Sequence, residues 1–260
     1  MLMSFKIQRV QEEIAELSFM KKQPKDIFFV GDSNLLKRKK VSIVGTRRPS
    51  QYTKEYTFTL ARELAKRGVV IVSGAAMGVD AIAHKGAGAN NTIAVMANGL
   101  DIKYPATNKK LIEEIYHNGL ALSFFEEGFR ATKWSFVLRN ELVVALGDIL
   151  IVTEANLKSG TLRSVEYALK MGKEIYVLPH RLNESLGTNA LLENHQAKPI
   201  YNIEEFVNGF GELEKSDDEF LSYLQTKPLL EEALAKFGEK VYEAELEGII
   251  AIEYGKVIPL

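Results

Sequence analysis

VSIVGTRRPS at residues 41 to 50 and VVIVSGAAMGVDAIAH at residues 69 to 84 decide the fold. Each begins as a run of β-branched residues, passes through a loop of small residues and enters an amphipathic helix. A continuous apolar strand of this kind is buried on both faces, which is the pattern of a parallel sheet. The loop then delivers the chain to a helix N-terminus, where unpaired N–H groups and the helix dipole favour an anion. Arg47 and Arg48 in the first loop add charge to those amides, so the site suits more than one phosphate, whether of a nucleotide or of a polymer.

Outward from these two units the alternation continues. TIAVM at 92 to 96, LALS at 120 to 123, DILIVT at 148 to 153 and EIYVL at 174 to 178 read as strands. Helices are expected over about 108 to 118, 135 to 146 and 159 to 171, with Ser50 capping the first helix and Gly68 and Gly172 ending two of them. The fold class is therefore α/β, a doubly wound, mostly parallel Rossmann-like sheet with its functional loops at the carboxyl ends of the strands. Residues 36 to 210 form this domain. Residues 1 to 35 are read as a short helical extension. Residues 211 to 260 are read as an acidic linker, GFGELEKSDDE, followed by a small module whose two helices and hairpin-like end fit a winged helix.

Composition narrows the function. The chain has 260 residues, 46% of them hydrophobic, enough for one large core. The longest apolar run, VVALGDILIV, is broken by Gly147 and Asp148 and is too short to span a membrane. The N-terminus lacks the pattern of an export signal, and there is no cysteine, which fits a cytoplasmic protein. The net charge of −1 conceals a division: residues 204 to 260 hold 14 of the 34 acids and 5 of the 33 bases, leaving 20 acids and 28 bases in the rest. A basic body suits a polyanion; an acidic tail suits a different partner.

Among nucleotide signatures, no GxxxxGK[ST] occurs, and the one GxG, Gly86-Ala87-Gly88, ends a helix instead of following a strand. Three loops remain: GTRRPS at 45 to 50, SGAAMG at 73 to 78 and KSGT at 158 to 161. In a parallel sheet all three open on one crevice. KWSFVLRN at 133 to 140 places Phe136 and Asn140 on one helical face, with Lys133 and Arg139 beside them. Rings between cations suit a single strand, whose bases stack while the cations follow the backbone. The alternative is that Phe136 and Trp134 cap the core. The four histidines have no metal-ligand spacing, and His84 reads as a packing residue. No nucleophile, base and orienting acid are spaced for catalysis.

The strings VSIVGTRRPS, IVSGAAMGVDAIAH, VMANGLDIKYPATN, FVLRNELVVAL, VTEANLKSGTL and LNESLGTNALL, in this order over about residues 35 to 203, resemble the DNA-processing protein A (DprA/Smf) family. The resemblance implies a non-enzymatic protein, without cofactor or metal, that binds and protects single-stranded DNA in natural transformation, helps load RecA recombinase and forms a homodimer. It implies DNA contacts at Arg48, Lys133, Phe136, Arg139 and Asn140, to which the charge of the first loop adds Arg47, and phosphate contacts at Ser73, Gly74, Lys158, Ser159, Gly160 and Thr161. Three departures stand out: Glu141 replaces the second arginine of an RNR string, Met77 replaces an arginine in SGLARGID, and His180 replaces the glycine of a PG pair. A rival reading is a phosphoribohydrolase of nucleoside monophosphates. Those enzymes carry PGGxGTxxE, whereas SGTLRSVE here has Ser164 at the glutamate position and Glu166 about 200° round the helix from it.

Overall fold

In the computed structural model, which describes residues 5–213, 219–224, 226–246 and 248–259, the chain divides between Glu212 and Leu213 into two compact units. The first is built on the strands expected from the β-branched runs. Lys40–Val44 (β3) and Val70–Ser73 (β4) are buried along their whole length and pair in parallel, Val41 opposite Ile71. Thr92–Val95 (β5) and Leu120–Ser123 (β6) extend the sheet beyond β4, and Ile149–Val152 (β7) and Ile175–Val177 (β8) extend it from the other side of β3. The strand order reverses between β3 and β7, so their carboxyl ends diverge and leave a crevice.

Side chains alternate across the sheet with a period of two. Val41, Ile43 and Ile71 face one layer of helices, Gln51–Ala65 (α1) and Val79–Ala87 (α2), packing on Leu60, Leu64 and Ala83. Val44, Val70 and Val72 face the other, Lys133–Leu146 (α4) and Gly160–Lys170 (α5), packing on Leu142, Val143 and Val165. Lys109–Asn118 (α3) covers β6 with Ile112 and Ile115. Buried aliphatic side chains of this size each contribute about 1.5–3 kcal/mol, so two double-sided layers give the sheet its rigidity. Ser42 is a buried polar residue in the middle of β3; its hydroxyl donates to Val143 O at 2.6 Å and docks the end of α4 on the strand. The architecture is the mostly parallel, Rossmann-like sheet expected from the sequence.

Residues 5 to 35 correct the expectation of a helical extension. They contain two strands, Gln8–Arg9 (β1) and Phe28–Gly31 (β2), and two short 3-10 turns. Strand β2 pairs antiparallel with β6, and β1 pairs antiparallel with β2. Ile14, Met20, Ile27 and Leu35 join the main core, and buried Lys40 ties the segment down through Leu36 O, Arg38 O and the Glu16 carboxylate. After β8 the chain adds Leu186–Glu193 (α6), a parallel strand Lys198–Pro199 (β9) and Ile203–Asn208 (α7).

The second unit has Glu219–Leu224 (α8), Leu230–Phe237 (α9), Lys240–Leu246 (α10) and an antiparallel hairpin, Ile250–Glu253 (β10) with Lys256–Pro259 (β11). Phe220, Leu224, Ala233, Val241, Ile250 and Val257 form its core. The linker expected over 209 to 219 lies partly outside the described residues. No described helix is long and apolar enough to cross a membrane.

Candidate nucleic-acid interface

The crevice at the β3/β7 divergence has a volume of about 550 Å³. Arg47, Lys133, Phe136, Arg139, Asn140, Ser159, Gly160 and Thr161 all line it, so eight of the twelve candidate residues meet in one place. Lys133 and Phe136 arrive on the first turn of α4, set by a reciprocal cap between Thr132 and Ser135. Phe136 lies beneath the Arg47 guanidinium, 5.3 Å from the ring centroid, and that of Arg139 is 5.8 Å away. The side chain of Asn140, one turn further on the same face, makes no hydrogen bond to any described residue and lines the crevice.

The three small-residue loops differ in what already fills them. After β3, the α1 N-terminus holds Glu154, whose carboxylate accepts from Ser50 N at 2.9 Å and from the Ser50 hydroxyl at 3.0 Å, while Thr46 N donates to Glu154 O. An internal anion therefore occupies the place read as a phosphate cradle, and the loop's contribution to the crevice is the Arg47 side chain. After β4, the groups are bonded inward. The Ser73 hydroxyl donates to Ile43 O at 2.6 Å, and Gly74 N donates to the Asp80 carboxylate at 3.2 Å. A Cβ at Gly74 would fall on the Arg139 guanidinium, so glycine there makes room for an arginine. After β7, the α5 N-terminus is open: Gly160 N and Thr161 N reach no acceptor among the described residues, and the Ser159 hydroxyl oxygen is buried with no partner. This is the loop that can take a phosphate.

The Ser73 hydroxyl and the Gly74 N–H are thus already bonded within the protein, while Arg139 reaches the crevice wall. Arg139 is only 4% exposed and donates to Gly74 O and Val95 O, tying the carboxyl ends of β4 and β5 together beneath Phe136. Burial pushes the Asp80 carboxyl up and the Arg139 guanidinium down, and the attraction between the two opposes both shifts. Arg48 lines a neighbouring hollow, and Lys158, in a left-handed conformation with φ of 59°, is exposed and stands outside the crevice. His84 is packed as expected. Thr92 donates its hydroxyl proton to Ile71 O, so His84 Nδ1–H donates to Thr92 Oγ1 at 2.5 Å, leaving Nε2 to accept from Ala75 N at 3.2 Å. This arrangement requires a neutral ring, and burial lowers its pKa to about 3.

Two of the sequence departures lie elsewhere than expected. Glu141 is buried on the far side of α4, where it accepts from Lys21 N at 3.1 Å, and does not reach the crevice. His180 Nε2–H donates to Thr153 O at 2.8 Å, and the ring meets the edge of Tyr52, behind the α1 terminus. Met77 is 44% exposed beside Tyr104. Tyr104 itself escaped sequence reading, because it stands in a loop without periodicity; its ring lies 6.1 Å from that of Phe136. Trp134 does not cap the core: it is 53% exposed, edge-on to the stacked Phe125 and Phe129. Glu166 is not among the residues lining the crevice and pairs at 2.8 Å with Arg163, which is, so the rival hydrolytic reading finds Ser164 where it needs a carboxylate.

The model of the DNA recombination-mediator protein A family matches residues 9–211. DNA processing protein DprA of Bacillus subtilis is 33% identical over 193 residues, 73% of this chain and 65% of the relative; protein Smf of Synechocystis is 37% identical over 158 residues, 59% of this chain and 40% of the relative. The chain thus spans between 40% and 65% of the length of these two relatives. Among solved structures, DNA processing protein A of Helicobacter pylori, studied for its single-stranded DNA binding mode, superposes with a TM-score of 0.78 at 48% identity over 79% of this chain and 95% of its own. DprA of Streptococcus pneumoniae gives 0.72 at 31% identity over 80% of this chain and 75% of its own.

Proposed function

Because the chain belongs to the DNA recombination-mediator protein A family, we propose that it binds single-stranded DNA in the crevice between β3 and β7 and serves recombination of DNA taken up in transformation. One observation carries this reading: an unfilled helix terminus, with Ser159, Gly160 and Thr161, faces an aromatic ring flanked by Arg47 and Lys133 in a single crevice. A phosphate fits the α5 terminus and a base fits the Phe136 ring. The single-strand binding of the Helicobacter pylori relative supports the same assignment.

Protection of the strand, its delivery to a RecA-type recombinase, a homodimer and a cytoplasmic site of action belong to the same proposal. Leu157 and Leu182 on loops and Leu186 at the start of α6, all exposed, offer apolar surface for a second copy. The acidic C-terminal unit, read as winged-helix-like, suits a protein contact better than DNA.

The test is fluorescence anisotropy of a labelled mixed-sequence single strand at several salt concentrations, with unlabelled duplex as competitor. Tight, salt-sensitive binding that duplex competes poorly is expected, and Phe136→Ala should weaken it at every salt by about 1–3 kcal/mol. Absence of binding at low salt would overturn the reading.

A further inference from the structure

On the far side of the Arg47–Arg48 turn lies a second hollow, also of about 550 Å³. Four cations surround it: Arg47 and Arg48 from the turn, Lys54 from the start of α1 and Lys85 from the end of α2. No carboxylate lines it, and none of these four side chains takes part in an ion pair among the described residues. Elsewhere on α1 the pattern is the opposite, since Glu63 serves Arg62, Lys66 and Arg67 within 3.2 to 3.6 Å. Like charges gathered round a concave surface without counter-charge repel one another and raise the local concentration of anions.

The hollow is also firmly built. Gly78 holds a φ of 80°, and a Cβ there would strike Thr46 O and the Arg47 backbone, so the start of α2 is pressed directly against the arginine turn. Asn108 closes the opposite wall by donating its amide to Ala75 O and Ala76 O. Arg47 lines this hollow as well as the first crevice, so the two adjoin at its side chain. No aromatic ring lines the second hollow, in contrast to the first.

We propose that the second hollow continues the strand path. It holds the sugar–phosphate backbone of the nucleotides next to the one stacked on Phe136, with Lys54 and Lys85 as phosphate contacts and the bases turned outward. This rests on the single-strand reading and extends it. Recognition there is independent of sequence, and the binding site is longer than the first crevice.

Strands of about 4 and about 16 nucleotides, the span of site sizes common to such proteins, should be compared on the wild type and on the full-length Lys54→Gln, Lys85→Gln double variant. Neither lysine side chain holds another residue, so thermal unfolding should be unchanged. The expected result is equal affinity for the short strand. For the long strand the expected loss is about 5- to 30-fold at low salt, with the log–log salt slope shallower by about 1.4, as for two single-strand phosphates released. If the double variant equals the wild type on the long strand, or loses equally on both lengths, the path is wrong while the first site stands. If the wild type binds neither length, the single-strand reading itself falls.

Discussion

The N-termini of α1 and α5 follow similar sequence, a β-branched strand and then a loop of small residues, and they flank the same crevice. One is filled and the other is not. Glu154 sits on the first, bonded to Ser50, whereas the second presents two free N–H groups and an unpartnered hydroxyl. The geometry that attracts phosphate is therefore common to both, and what separates a binding site from a structural one is whether the protein supplies its own anion. The loop after β4 extends the contrast, for its groups are bound by Asp80, Arg139 and His84.

The largest expected effect concerns that third loop. His84 must be neutral to make both of its bonds, and its pKa of about 3 in the fold lies below the ordinary 6.5. On acidification the unfolded chain takes up the proton first, so this contribution to stability is complete above pH 6.5 and is lost as the pH falls towards 3. Urea unfolding should show a loss approaching 1.4 kcal/mol per pH unit from this group, about 2–3 kcal/mol between pH 6.5 and 4.5. In His84→Gln the slope over that interval should be shallower by the same amount, whatever its absolute stability. An unchanged slope would separate the His84 bonds from the fold's acid sensitivity.

Next comes the conversion of α5 into a copy of α1. Ser159→Asp gives the open terminus its own carboxylate, which as an N-cap leaves helix stability within about 1 kcal/mol of the wild type. Single-strand affinity should fall about tenfold or more by anisotropy while the melting temperature holds. Retained affinity would mean that the phosphate does not sit at this terminus. The smallest effect is the reverse change: Glu154→Gln removes the charge from α1 and should lower unfolding stability by about 1 kcal/mol with no gain in DNA affinity, because the amide still fills the place.

The alternation of strand and helix was legible because each central strand is a fully buried β-branched run. Residues 5 to 35 were not, since strands of two and four residues among charged residues carry no period long enough to separate strand from helix. At the site, the i, i+4 spacing found Phe136 and Asn140. It could not show that Arg139, which shares their helix and lines the crevice, is also bonded to acceptors 65 and 44 residues away in the chain. Nor could it show that Ser73 and Gly74 are bonded inward: a sequence shows donors and acceptors but not whether they already have partners.

The two borders of the sheet carry a consequence for assembly. Both end in strands of two residues, Gln8–Arg9 on one side, where Arg9 pairs with Asp26, and Lys198–Pro199 on the other, where proline has no N–H to give. Such borders are poor templates for strand addition from a neighbouring chain. Higher-order complexes of this protein should therefore grow through helices and loops, leaving the sheet closed to hydrogen bonding between copies.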